Sequence, residues 1–534
     1  MSSTSEMQNF IAAFEGRLAP VEKATSEAWW NLATNGTPEA QKALTEAGIA
    51  YNNLFSDERE FEMVRDWHQG SDGLEAGSLL GRQVEVLYRM FAGHNGDAET
   101  LDRIQELEAA ANATYNNHRG VVREREVGEN GIREILATSD DADLRQEAWE
   151  ASKTVGREVE STVRELARLR NRLARDAGYP DHFHHSLDLQ DIEFTDLEEI
   201  MSDLEKATDE PFARLKSHLD AELGERFGVT NVMPWHFSDP FFQSCKGDGA
   251  GGDTDDFFRE ADIDALTRRT YDTLGLEVRD VFSRSDLRER EGKSQHAFCL
   301  GVGREFPYDV RVLANVRPDS YWMDTMLHEF GHAVYDKHIN PQLPYLLRTY
   351  AHLCVTEGIA LMMGALAEDT GWLSKTAKFP ESELERIQPE ILQRARWDRL
   401  VFIRWALVIF HFEKALYADP ERADLNDVWW DLVERIQLVK RPPERDEPDW
   451  AAKIHVAVAP VYYHNYVLGH LIATQLREYV ETNITHGPFH QSEVAGRYLL
   501  EAVFGPGARD NWRDTVLRAT GEPLNPKYFV DSLQ

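Results

Sequence analysis

Six stretches in the N-terminal half place apolar and charged residues at helical spacing, and several are far too long to be strands. They are Ser5–Asn31, Thr37–Asn53, Ser56–Trp67, Ala98–Asn117, Asp141–Ala174 and Asp196–Phe227. Thr37-Pro38-Glu39 and Thr195-Asp196-Leu197-Glu198 read as helix starts, a capping oxygen followed by early acid. Helix is expected again over Asp256–Gly275, and from Asp319 or Ser320 almost to the end. The interruptions are an irregular stretch, Val229–Ser244, and the segment His296–Val316. In the latter, Val310, Val312, Ala314 and Val316 alternate, which predicts a hairpin turning at Gly303–Tyr308. The expected fold is mainly α, with one small β-sheet. The 534 residues exceed one simple core, yet no linker divides them. Cys245–Asp253 and Arg441–Asp449 read as loops, so a single body over 1–534 is expected, with two interleaved helical lobes around a cleft.

Acid dominates: 93 acidic residues against 58 basic ones give a formal charge of −35. Nucleic acid and anionic membrane surfaces are excluded as partners, since both demand a basic face. The acid is spread along the chain, as on a solvated surface. The basic residues are 14 Lys and 44 Arg, and scarce lysine beside abundant acid fits a saline habitat or a GC-rich genome. Three widely spaced cysteines, Cys245, Cys299 and Cys354, indicate neither a disulfide framework nor a cysteine metal site. The N-terminus has no basic segment followed by an apolar one, and no apolar run reaches about 18 residues. The expectation is a cytoplasmic protein without a membrane span. Nothing in the sequence indicates an oligomeric state.

The chemistry-bearing motif is His328-Glu329-Phe330-Gly331-His332, inside the apolar run Tyr321–Asp336 and preceded by the helix start Pro318-Asp319-Ser320. Four residues separate the histidines, one helical turn, so both imidazoles project from one face. Zinc favours such nitrogen ligands. Glu329 points to a neighbouring face, where it can accept a proton from a water whose pKa zinc lowers towards about 7. A catalytic zinc needs a third protein ligand. His338 would complete the spacing HExxHxxxxxH, which requires the helix to end at a glycine where this chain has Tyr335. Glu357 is the better placed: it is the one carboxylate in a second apolar helix, Tyr350–Ala365, 25 residues after His332. One zinc per chain, held by His328, His332 and Glu357, is expected.

With this pattern, the chain resembles the angiotensin-converting-enzyme-like gluzincin peptidases, which are related to the oligoendopeptidase and thimet-oligopeptidase group. Further segments agree in order: Ser26–Asn35 (SEAWWNLATN), Leu166–Tyr179 (LARLRNRLARDAGY), the pair His296-Ala297, and Lys453-Ile454-His455 followed by Tyr463-His464-Asn465-Tyr466. The resemblance implies a helical ellipsoid of two lobes around a deep channel, with the sheet beside the zinc helix and the zinc-site core within about 290–470. It implies an enzyme acting on short peptides. Tyr466 would hydrogen-bond the oxyanion with help from His455. His296 and the Ala297 backbone would hold the substrate as an added strand, and Lys453 and Tyr463 would bind its C-terminal carboxylate.

The chain also departs from the converting enzymes. Asn465 stands where they carry a chloride-site arginine, which puts chloride dependence in doubt. Phe237 stands at the position of their carboxylate-binding glutamine. Leu361 replaces the acid that orients a zinc histidine. Lys453 makes release of C-terminal dipeptides the leading mode, with internal cleavage of oligopeptides as the alternative. An inactive peptide-binding relative is the reading from another class, and the intact base Glu329 argues against it.

Overall fold

The structure is a computed structural model that describes residues 4–70, 77–245 and 254–533, with only the backbone of Asp256. Long helices dominate it, as the periodicity predicts. The first runs Thr4–Asn35 and buries Met7, Ile11, Phe14 and Leu18 on one face. Next comes Pro38–Asn53, capped by the Thr37 side chain accepting from the Ala40 N–H, with proline in its first turn. Ala98–Asn117 matches the predicted span, capped by Asp97. Ala142–Asp176 is capped by Asp141 and buries Ala148, Trp149, Val155, Val159, Val163 and Leu166 at helical spacing. Phe194–Phe227 ends at Gly228, whose left-handed backbone (φ 65°) suits glycine. Asp256–Gly275 divides into two helices, Asp255–Phe258 and Ile263–Thr273. The expected loop Arg441–Asp449 is irregular except at its end, whereas Cys245–Asp253 lies, after Cys245, outside the described residues.

The predicted hairpin is present: β3 (Phe298–Gly301) pairs antiparallel with β4 (Val310–Leu313), Phe298 opposite Leu313. A second hairpin precedes it in the chain, β1 (Gly120–Val122) against β2 (Arg125–Val127). The expectation of one β-segment is therefore corrected to two. The turn of the added hairpin is Arg123-Glu124, both at positive φ (47° and 63°). Such turns normally advertise themselves through Asn-Gly or Asp-Gly, and this one does not.

The chain divides into two compact units, each assembled from separate stretches. The first comprises Met1–Asn95, Asp253–Gln388 and Leu468–Tyr528; the second comprises Gly96–Gly252, Pro389–Val467 and Phe529–Gln534. The first unit packs Phe14 and Leu18 with Phe61, Val64, Leu87 and Phe91. The second is tied by buried cations: Arg145, fully buried, donates to the carbonyls of Trp235, His236 and Phe237. Among the described residues no helix is long and apolar enough to cross a membrane.

Candidate metal centre and active site

The HEFGH segment sits in the helix Ser320–Lys337, whose first turn is capped by Asp319 accepting from the Trp322 N–H at 2.8 Å. The helix runs on through Tyr335, and the Nδ1 of His338 lies 2.8 Å from the Val334 carbonyl. His338 therefore stays with its own helix end, as the missing glycine predicts. Glu357 lies in Leu353–Gly364, a helix capped by His352. The two helices cross at Gly331: a methyl group there would stand 2.9 Å from Ala360 Cα, too close for any real Cβ. Glycine at the fourth position of HEFGH thus lets the backbones approach closely enough for His332 and Glu357 to share one site.

His328, His332 and Glu357 form the one group of potential metal ligands among the described residues, their ligand atoms all within 4.8 Å of one another. The Nε2 of His328 is 3.7 Å from one Glu357 oxygen, and that of His332 is 4.0 Å from the other. Ligand atoms on a tetrahedral zinc at about 2.0–2.2 Å lie roughly 3.3 Å apart, so small side-chain rotations close the set. The Nδ1 of His332 is 2.7 Å from the Thr356 hydroxyl, a partner that holds the ring with Nε2 facing Glu357. Burial pushes His332 well down, into the neutral form that ligates. Burial pushes Glu357 up, opposed by His328, and among the described residues no Lys or Arg pairs with it. A buried carboxylate facing only two imidazoles fits a cation between them, not a surface salt bridge.

Glu329 is 8% exposed, and the backbone of Cys299 on β3 lies near enough to favour its charged form. Burial pushes it up to about 7, against the pull of His328 and with a push from Glu357. With His328 it lines an open cavity of about 270 Å³ that also contains His296 and Ala297, just ahead of β3. These residues belong to the first unit.

Lys453, His455, Tyr463 and Tyr466 belong to the second unit, where they pack together. The ring of Tyr463 is 5.1 Å from that of His455 and 5.6 Å from that of Tyr466. Burial and the Lys453 charge push His455 down to about 4, which leaves a neutral imidazole. Burial pushes Lys453 down to about 8, with Asp239 opposing. The Lys453 ammonium donates to Gln243 Oε1 at 2.9 Å. Sequence reasoning misses this glutamine. Phe237, at the expected position, is fully buried and stacks on Phe242 at 4.1 Å. The available signal is Ser238-Asp239-Pro240: the Asp239 carboxylate accepts from the N–H groups of Phe241, Gln243 and Ser244, a turn that delivers Gln243 to Lys453.

A second feature invisible in sequence is Val461, held at φ 52° although β-branched. Both of its backbone groups are tied: Glu413 Oε1 accepts its N–H at 3.0 Å, and Gln190 Nε2 donates to its carbonyl at 3.0 Å. The Oε1 of Gln190 accepts from Asn465 Nδ2 at 2.8 Å. Asn465 thus serves the turn that carries Tyr463 and Tyr466. Glu413 is fully buried and pushed up to about 8, with Arg170 opposing. A carboxyl whose folded pKa is raised contributes stability that is complete below its unfolded value and lost as pH rises through about 8. Glu413→Gln keeps an acceptor for Val461, so the expected result is a flatter dependence of stability on pH between about 4.5 and 8 than in the wild type. The slope removed is at most roughly 1.4 kcal/mol per pH unit, the value for one proton. Chemical denaturation across that range measures it, and parallel curves would refute it.

A His-His-Glu donor set, its glutamate buried, with a second glutamate beside the first histidine is the arrangement of a metallopeptidase. Comparison with known proteins gives the family. The family model described as "Angiotensin-converting enzyme" matches residues 1–235 and 264–526. The angiotensin-converting enzyme-like protein Ace3 of Mus musculus is 22% identical over 580 residues, covering 99% of this chain and 75% of that protein. The angiotensin-converting enzyme of Bos taurus is 21% identical, covering 98% of this chain and 42% of its own length. Carboxypeptidase 1 of Bacillus subtilis is 23% identical over 234 residues, 39% of this chain and 46% of that one. The chain belongs to the angiotensin-converting enzyme family of peptidases, and it spans under half the length of the bovine and bacterial relatives.

Proposed function

We propose that the chain is a zinc-dependent peptidase that releases dipeptides from the C-termini of short peptides. The observation that carries this reading is the His328–His332–Glu357 donor set with Glu329 beside it on the helix. One zinc per chain would be held by those three side chains, supplying Lewis-acid polarisation of water and of the scissile carbonyl. Glu329 takes the proton of the attacking water and later delivers it to the leaving amine nitrogen. By the family resemblance, Tyr466 would donate its phenolic hydrogen to the oxyanion, and His455, neutral at working pH, would assist. His296 and the Ala297 backbone hold the peptide chain. Lys453, Tyr463 and Gln243 bind the terminal carboxylate. Gln243 supports the dipeptide-releasing mode because it restores the amide that Phe237 lacks. A reducing, cytoplasmic setting belongs to the proposal.

Peptides with free and amidated C-termini test the mode. The free acid is expected to be cleaved at least about tenfold faster, since a charge-assisted contact with Lys453 contributes roughly 1.5–3 kcal/mol. Equal rates would favour internal cleavage of oligopeptides instead. Mass spectrometry of the products identifies the bond cut, and a chelator control tests the metal requirement.

A further inference from the structure

The cavity beside Glu329 carries a charge that the proposed reaction does not use. Asp324 lies one helical turn before His328 and lines the cavity with Tyr321, Thr325 and His296. Its Oδ1 rests against Gly364, where even a methyl group would come within 2.4 Å of it. Glycine at 364 thus leaves room for the carboxylate at the cavity wall. Among the described residues Asp324 makes no hydrogen bond and no ion pair. A half-buried carboxylate without a partner is a poor structural element, because nothing offsets its partial desolvation. Its neighbours point to a ligand. Tyr321 is 66% exposed, so much of its ring is open to solvent. The Thr325 hydroxyl is already donated to the Tyr321 carbonyl at 2.9 Å, so it does not compete for the acid. An exposed aromatic ring beside an unpaired carboxylate is suited to a cation, which gains an ion pair and a cation–π contact together.

We infer that Asp324 and Tyr321 form a side-chain subsite selecting arginine or lysine at a substrate residue flanking the scissile bond. The inference rests on the peptidase reading, because the cavity also contains Glu329 and His328 and its occupant is then the peptide. The position of the acid matters. It stands in the same cavity wall as the catalytic glutamate, so the selected side chain belongs to a residue next to the reacting carbonyl and not to a distant one. Its carboxylate would bind an arginine side chain through paired N–H groups, and the Tyr321 ring would cover one face of the guanidinium. Being an interaction of half-exposed charges, the preference weakens with added salt.

The test is calorimetric binding to the zinc-loaded full chain carrying Glu329→Gln, which holds peptides without cutting them. The probes are peptides that differ only in arginine or citrulline, its uncharged isostere, at each residue flanking the scissile bond. At one of the two positions arginine is expected to bind about tenfold tighter. Adding Asp324→Asn should bring that ratio close to one at wild-type zinc content, and Tyr321→Leu should reduce it by about two- to fivefold. Equal binding at both positions, or no binding of either probe, overturns the inference. So does a loss of zinc and of both peptides alike in Asp324→Asn, which would make the acid a support for His328. Should the preference stand while the zinc-loaded wild type cleaves neither peptide, the peptidase reading fails and the subsite survives.

Discussion

Glu329→Gln is expected to lower peptide turnover by about 10²–10⁴-fold while leaving the fold, the zinc content and the affinity for substrate-like peptides near wild-type values. The argument is geometric. Glu329 follows His328 directly, so it shares the helix but not the ligating face, and the Glu357 carboxylate stands on that face in its place. Its own carboxylate lies near the backbone of Cys299 on β3, just after the segment proposed to hold the substrate. Glutamine preserves the volume of the side chain, and it removes the charge and the ability to take a proton. Burial raises the proton affinity of this glutamate, and a nearby dication acts in the opposite direction, so both influences act on the group the reaction requires. The measurements are kcat on a free-acid peptide and zinc by atomic absorption on the same sample. Undiminished turnover would remove Glu329 from the mechanism. Simultaneous loss of zinc would mean that the residue supports the metal.

Much of this was legible because helices write themselves into sequence locally. Thr37, Asp97, Asp141 and Asp319 each cap the helix that follows by a side-chain bond to a residue three positions on. The i and i+4 histidines and the lone acid Glu357 are legible for the same reason: a buried charge inside an apolar helix needs an explanation. What was not legible depends on contacts distant in sequence. Gln243 reaches Lys453 across 210 positions. The left-handed Val461 is imposed by Gln190 and Glu413, from segments that precede it by 271 and 48 positions. The helix Leu79–Ala92 lies outside the six expected spans, although its buried Val84, Leu87 and Phe91 keep helical spacing. The acid expected behind a zinc histidine is replaced by Leu361, and the partner found behind His332 is the hydroxyl of Thr356. A threonine beside Glu357 carries no signal of that role until the two helices are packed.

The second large effect concerns the metal and is expected to reverse a stability order. Thr356→Val removes the hydrogen bond behind His332 and should weaken zinc binding about 10–100-fold, the usual cost of losing such a partner. Glu357→Gln removes a ligand and should weaken it further. Without metal the two substitutions differ. Glu357 is 8% exposed and faces only imidazoles, one of which burial keeps neutral, so its charge is desolvated with little to offset the cost. An amide in its place is cheaper to bury, so the chelated Glu357→Gln chain should unfold at a higher temperature than the chelated wild type. Zinc then inverts the order: at a free concentration about 100 times Kd it adds roughly 2.7 kcal/mol to the wild type and little to the variant. Thermal unfolding of both chains, with chelator and with a buffered zinc series, provides all four values. A chelated wild type more stable than chelated Glu357→Gln would mean that the glutamate holds the two helices together by itself. It would then be a structural acid, and the third zinc ligand would have to be sought elsewhere.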